Sequence, residues 1–359
     1  MNLAQQIFDH FSDQLKLHNG TPTSAKVLSV SSEKNPKANS LVYCSKLDSL
    51  KQAIQAKSSL IIVPTKLGEN SEVTSLDLPS ETLLASTDEL QVMMALINQK
   101  FFTAPNYKKI FGGQEKIHPS AVIAETVSLG KDVVIGPGVV IYDDCVIGDE
   151  TYIGANSVIE AGCSIGSNSH IAPLVFIGHD CQIGNHCKVQ SATCLGTDGF
   201  GYGSTRQGVH HFKPHLGKVV LEDHVEIGAG VYIDRGTFED STIGKGSKID
   251  NHAHMGHNFK MGQHCLVAGG FNAAGSATVG NHCVIGGRVT LNGHTSITDQ
   301  VMVGGLSGIE KSLTEPGKYA GYPIQNLKDA LRTLVSLPGL PALRKTVGQL
   351  KKSIAENEN

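Results

Sequence analysis

The sequence predicts a mainly β molecule: a solenoid of very short strands and tight corners, with a small α/β domain before it and a helical tail after it. Three observations carry this. Large aliphatic residues recur at every sixth position from Ile117 onward. Glycine accounts for 40 of 359 residues without low complexity, which implies many tight corners. The segments on either side of the repeat instead show helix and strand patterning of ordinary length.

The repeat occupies fourteen positions from Ile117 to Leu195, all of them large aliphatics. It breaks over 196–220, resumes at Leu221, Ile227 and Ile233, slips by four residues, and returns from Ile243 to Ile309 with only Ala273 small. A period of six fits neither an α-helix nor an uninterrupted strand; it fits a short strand plus a corner. Glycine often follows the aliphatic residue, as in "IGPG", "IGDE" and "IGAN". These hexads resemble those of the hexapeptide-repeat proteins. The resemblance implies a left-handed parallel β-helix of triangular section, about 18 residues per coil, an exception to right-handed crossovers. Residues 117–312 would then form about ten to eleven coils.

The cysteines fit this register. Cys145, Cys163, Cys181, Cys187, Cys265 and Cys283 each lie four places after a period residue. That position points inward at a narrow corner, where cysteine serves as a small buried hydrophobe. A disulfide ladder or zinc sites are the rival reading. Neighbouring parallel strands do not favour disulfide geometry, and thiols in the cytoplasm stay reduced.

Residues 1–103 read as the small α/β domain. "LAQQIFDHFSDQLKL" is an amphipathic helix, "AKVLSV", "SLVYC", "SLIIVP" and "TLLAS" are strands, and "DELQVMMALINQKFF" is a second helix. "FFTAPNYKKIFGGQEK" reads as a linker into a β-helix domain at 104–316. A helical extension follows at 317–359, in which "IQNLKDALRTLVSL" and "PALRKTVGQLKKSIAEN" are divided by "PGLP". Arg344, Lys345, Lys351 and Lys352 make this tail basic, either as a solvated face or as a dock for an acidic carrier.

Composition excludes several classes. A net charge of -3 with both signs mixed argues against a nucleic-acid partner. The longest apolar runs, such as "LIIVP", are too short to span a bilayer. The N-terminus lacks a basic segment followed by an apolar one, so no secretory signal is expected and the cytoplasm is the default location.

Several stretches resemble one family more specifically. "GTDGFGYGSTRQG", "VEIGAGVYIDRGTFEDSTIGKGSKIDN", "MGHN", "VAGGFNAAGS", "NGH" and "TEPGKYAGYP" occur in that order and are similar to the UDP-3-O-acylglucosamine N-acyltransferases of lipid A synthesis. The resemblance implies a homotrimer with sites in the clefts between neighbouring β-helices, and a uridine-binding N-terminal domain. It implies an acyl donor, a 3-hydroxyacyl thioester on the phosphopantetheine of acyl carrier protein, and no bound cofactor. The acceptor would be the 2-amine of UDP-3-O-(3-hydroxyacyl)-glucosamine.

Register then distributes the three histidines of "NHAHMGHNFKMG". His257 lies two places after Met255 at a projecting corner, His252 three places after Ile249 at the preceding corner, and His254 on a flat face. The two corners are roughly 16 Å apart, too far for one mononuclear metal site, so no metal is expected. His257 aligns with the family's catalytic base, and imidazole suits removal of an amine proton at neutral pH. Gly275, one coil on, matches the family's oxyanion-hole position. His294 resembles a supporting histidine. Asp250 and Asn251 match polar residues that aid catalysis and hold the sugar nucleotide. A structural corner hydrogen bond is the alternative for these last three.

Two stretches depart from the family pattern. In "VYCSKLDSL" (42–50), Tyr43 can supply one stacking face for uridine, but Lys46 stands where asparagine is usual and the second aromatic is missing. This implies a looser or differently built uridine pocket. Before "TEPG", Gly304, Gly305 and Gly308 replace bulky residues, which implies an acyl groove open to a longer or bulkier chain. The rival classes are a γ-class carbonic anhydrase, a non-catalytic structural trimer and the O-acyltransferase of the same pathway. The N-terminal domain and "DGFGY" weigh against the first. The coincidence of base, glycine and sugar motif weighs against the second. The third lacks the N-terminal domain.

Overall fold

The computed structural model describes residues 2–102, 116–321, 332–333 and 335–357. The chain divides into two compact units, Met1–Ile110 and Phe111–Asn359. Most of the expected linker and most of "IQNLKDALRTLVSL" lie outside the described residues.

The N-terminal unit carries a five-stranded sheet with spatial order β1-β5-β4-β3-β2. Its strands are β1 (Lys16–Leu17), β2 (Ser29–Ser31), β3 (Ser40–Tyr43), β4 (Leu60–Pro64) and β5 (Leu83–Thr87). The three inner pairings are parallel, and β1 runs antiparallel along the β5 edge. Helix α1 spans Leu3–His10, shorter than its amphipathic pattern predicts, because the chain turns at Phe11 and pairs as β1. Asn2 caps it by accepting the Ala4 N–H. Strand β2 also starts later than "AKVLSV" suggests. Helix α2 (Leu47–Gln55), unforeseen in the sequence, covers one side of the sheet, and α5 (Leu90–Phe101) the other, after two single-turn helices, α3 (Thr65–Gly68) and α4 (Ser71–Thr74). Alternation along β3 sends Leu41 and Tyr43 to the α5 side and Val42 to the α2 side.

The second unit is a left-handed parallel β-helix with three faces. The first face holds ten strands ending on Ile123, Ile141, Ile159 and their successors; the second holds nine, from Leu129; the third holds ten, from Ile135. Partner residues lie one 18-residue coil apart, as Ile147 pairs with Ile165. The offset widens to 38 residues between Ile183 and Leu221 and to 22 between Leu221 and Ile243, where the period breaks. The aliphatic residues form one continuous buried core. The cysteines join it as free thiols, with Cys145 and Cys163 donating to the Glu160 and Gly178 carbonyls at 3.1 Å. The corner position is not uniformly narrow, since Phe259 and Phe271 fill it in two places and are fully buried.

Most corners turn through a left-handed residue three places after the aliphatic one, such as Asp132, Asp144 or Asn156. Asn, Asp and His tolerate that conformation best among residues with a side chain. This explains the histidine content: His186, His224, His252, His264, His282 and His294 all occupy it. Two pairs stack between coils, His186 on His224 at 4.9 Å and His264 on His282 at 5.4 Å. The tail ends in helix α6 (Leu340–Asn357). Leu340, Leu343, Val347, Leu350 and Ile354 form an exposed stripe at alternating spacings of three and four.

Candidate active site

Call the turn from first to second face the first corner. Both breaks in the repeat emerge there, in the two coils immediately before that of His257. The long excursion forms a hairpin of two antiparallel strands, Tyr202–Ser204 and His210–Phe212, and returns at His215. The short one loops through Gly236–Asp240. They are tied together where Leu216 and Gly217 donate to the Thr237 and Gly236 carbonyls at 2.8 and 2.9 Å. Buried Arg235 anchors the base of both, donating from Nε to the Gly196 carbonyl at 2.8 Å.

His257 stands against these excursions. Its Nδ1 lies 2.9 Å from Asn258 Oδ1. That oxygen also accepts the Thr237 N–H at 3.1 Å, so it faces His257 as an acceptor. His257 must therefore carry its proton on Nδ1, leaving the Nε2 lone pair free. The ring lies directly over Gly275: a methyl group at 275 would come within 2.6 Å of Cε1 and Nε2. Glycine is required here for close approach rather than for an unusual φ.

The Gly275 N–H is free of any acceptor among the described residues, and the sequence explains why. At the second corner most of the equivalent N–H groups are capped from the next coil, among them Ser167 by Asn185 Oδ1 at 2.9 Å, Gln263 by Asn281 Oδ1 at 2.8 Å and Asn281 by Asp299 Oδ1 at 2.7 Å. One coil on from Gly275 stands Gly293, with no side chain to offer. A lone pair and an unpaired donor thus share one corner. His294 lines the same groove of about 520 Å³ together with Lys213, Thr237, Phe238 and Asn258.

Asp234 is buried behind this site, accepting from Thr197 Oγ1 at 3.3 Å. Burial lifts its carboxyl above the ordinary range, against the pull of His254 and His257. His254 lies on the first face and His252 at the third corner, so the three histidines do not converge; no group of three metal-ligating side chains does among the described residues.

The other expected residues fall elsewhere on the chain. Asp250 and Asn251 occupy the third corner and border a separate groove of about 530 Å³ on the third face. Their carboxylate and amide oxygens accept the Gly269 and Ala229 N–H groups at 3.1 and 2.7 Å, so within one chain they join coils. Gly304 and Gly305 also sit at the third corner, Gly304 donating to the Tyr319 carbonyl at 2.8 Å. Gly308 lies on the first face, in a groove of about 760 Å³ shared with His254, Asn272, Ala274 and Thr290. Within one chain, then, Gly308 alone of the three borders that groove.

In the N-terminal unit Tyr43 is 8% exposed, its hydroxyl donating to Asn98 Oδ1 at 3.1 Å. Burial raises its phenol well above the usual range. The stacking face expected of Tyr43 is enclosed in the core, which corrects that assignment. Lys46 is exposed as the N-cap of α2. The donors beside it are taken by Glu33, whose carboxylate accepts the Ser45 N–H at 2.9 Å and the Ser49 hydroxyl at 3.0 Å. The Ser45 N–H above all holds that carboxyl below its ordinary range.

A family model described as the GMPPB C-terminal domain matches residues 111–198. Among curated relatives, the UDP-3-O-acylglucosamine N-acyltransferase of Dechloromonas aromatica is 46% identical over 171 residues, 47% of this chain and 49% of the relative. That of Desulfotalea psychrophila is 44% identical over 168 residues, 47% of this chain and 49% of the relative. A solved LpxA, a UDP-N-acetylglucosamine acyltransferase from Bacteroides fragilis, is 21% identical with a TM-score of 0.45, covering 57% of this chain and 71% of that one. The chain spans about half the length of the curated relatives it matches. Over that half it is similar to the UDP-3-O-acylglucosamine N-acyltransferases, as its motifs predict.

Proposed function

We propose that this chain is an N-acyltransferase acting in the cytoplasm, moving a 3-hydroxyacyl chain from acyl carrier protein to the 2-amine of UDP-3-O-(3-hydroxyacyl)-glucosamine. The single observation that supports it most is the pairing of a free His257 Nε2 with a free Gly275 N–H at one corner. The amine attacks the thioester carbon while His257 Nε2 takes its proton. The oxyanion of the tetrahedral intermediate accepts from the Gly275 N–H. Collapse breaks the C–S bond; the departing thiolate recovers the proton from His257, and an amide is left on the sugar. His294 contacts substrate in the shared groove, and the first-face groove at Gly308 receives the acyl chain. Asp250 and Asn251 reach substrate only across a subunit boundary, so their roles depend on a homotrimer. The exposed 3-4 spaced stripe on α6 supports self-association of that kind. The N-terminal unit binds the uridine with groups other than Tyr43.

The test is mass spectrometry of the product made from UDP-3-O-acylglucosamine and a mixed pool of 3-hydroxyacyl carrier proteins. An N-acylated product is expected, and its absence overturns the reaction. His257→Ala should lower turnover about 10²–10⁴-fold with an unchanged Tm; near-wild-type turnover removes the assignment of the base.

A further inference from the structure

Behind His257 lies a second imidazole that the reaction does not use. His215 closes the long excursion with its side chain wholly enclosed. Neither ring nitrogen has a hydrogen-bond partner among the described residues. Buried polar groups are rarely left in that state, so its retention calls for a physical cause. The ring centroid is 5.2 Å from that of His257, with the planes at 50°. The Phe212 ring centroid lies 6.2 Å from that of His215. Asp198 Oδ1 lies 3.8 Å from Nδ1, beyond hydrogen-bond length. Two glycines let the excursion close over both rings. A methyl group at 199 would come within 2.7 Å of His257 Cβ and 3.1 Å of His215 Nε2, and one at 201 within 2.7 Å of His215 Cε1.

We propose that His215 is a positioning residue for His257: its enclosed ring backs the His257 ring and keeps Nε2 over Gly275, and this support lapses when His215 takes a proton. The inference rests on the reading of His257 as the base. Asn258 fixes only one edge of the His257 ring through Nδ1; packing from behind supplies the remaining constraint. The charged groups facing His215 are His257, Asp198, Lys213 and Arg235. Burial first, then the cationic form of His257, holds its basicity below that of a free imidazole, while Asp198 opposes them. At neutral pH His215 is thus uncharged and tolerates the imidazolium that forms on His257 in each turnover. In acid His215 takes a proton in an enclosed corner beside His257, and the excursion that carries it is driven off.

Steady-state kinetics across pH on wild type, His215→Ala and His215→Phe test this, together with ¹⁵N NMR titration of the His257 ring. His215→Ala should lower kcat about tenfold at neutral pH with KM unchanged. His215→Phe keeps a ring that cannot titrate and should restore kcat to within about threefold. The acid limb of wild type should fall more steeply than a single titration, and that of His215→Phe should follow a single one. Equal losses in the Phe and Ala variants, no loss in Ala, or a steep limb retained in Phe would each overturn the proposal. If no protein of the series transfers an acyl group, the reaction falls on its own. The NMR then decides: a two-step His257 titration that becomes one-step in His215→Phe upholds the pair, and identical titrations overturn it.

Discussion

The second corner and the first corner of this β-helix share one hexad geometry and end in opposite chemical states. At the second corner an asparagine or aspartate from the following coil caps the turn N–H in five places, among them the run from Gln263 through Asn281 to Asp299. At the first corner the corresponding run is His257, Gly275, Gly293, which offers Gly275 no such cap. The repeat ordinarily satisfies its own backbone from coil to coil. Removing two side chains at one corner leaves a donor available to something else, and the histidine that replaces the third supplies the acceptor. The excursions add the enclosure that a bare corner lacks.

This contrast can be broken deliberately. The largest effect should follow Gly293→Asn, which gives the first corner the cap found at the second. Its amide oxygen would occupy the Gly275 N–H, and kcat should fall about 10²-fold, the typical loss for one oxyanion donor, with Tm unchanged or slightly higher. An unchanged kcat would remove Gly275 from the reaction. Next comes the converse change, Asn281→Ala, which uncaps Gln263 and frees Asp299 at the second corner. Stability should drop by about 1 kcal/mol, or roughly 2–4 °C in Tm, with kcat untouched. A loss of activity without a loss of stability would contradict the division of roles.

The smallest effect concerns Asp234. Its carboxyl is raised in the folded state, mainly by burial, so between the unfolded and folded pKa values the folded chain binds more protons than the unfolded one. Stability is then lost as pH rises through that window, and the cost persists at neutral pH. Asp234→Asn keeps an acceptor for the Thr197 hydroxyl and removes the charge. Thermal unfolding should show Tm higher by about 2 °C at pH 7 and no gain below about pH 3.5. A lower Tm at pH 7 would mean that the charge is matched by His254 and His257 rather than merely buried.

Much of this was legible in the linear pattern. The six-residue register places His257 on a projecting corner with Gly275 one coil away, and the structure puts the ring over that glycine. Counting the register through the two breaks would also have shown that both insertions leave from the corner of His257. Asn258 is adjacent in sequence, yet its bond to Thr237 spans 21 residues and fixes the histidine tautomer only once the short loop folds back. His215, 42 positions before His257, carries no local signal at all. Tyr43 was misleading for a related reason, because the face to which a β3 side chain points follows from the sheet and the helices that cover it.

The linear pattern is enough to specify the solenoid, its coil length, its buried cysteines and the separation of the three histidines. Those follow from a repeat in which each coil touches only its neighbours, so that a local period is also a spatial one. Which nitrogen of His257 is free, what encloses it and what stands behind it emerge only in the folded chain. Those depend on two insertions that escape the period and meet only after the coils have stacked.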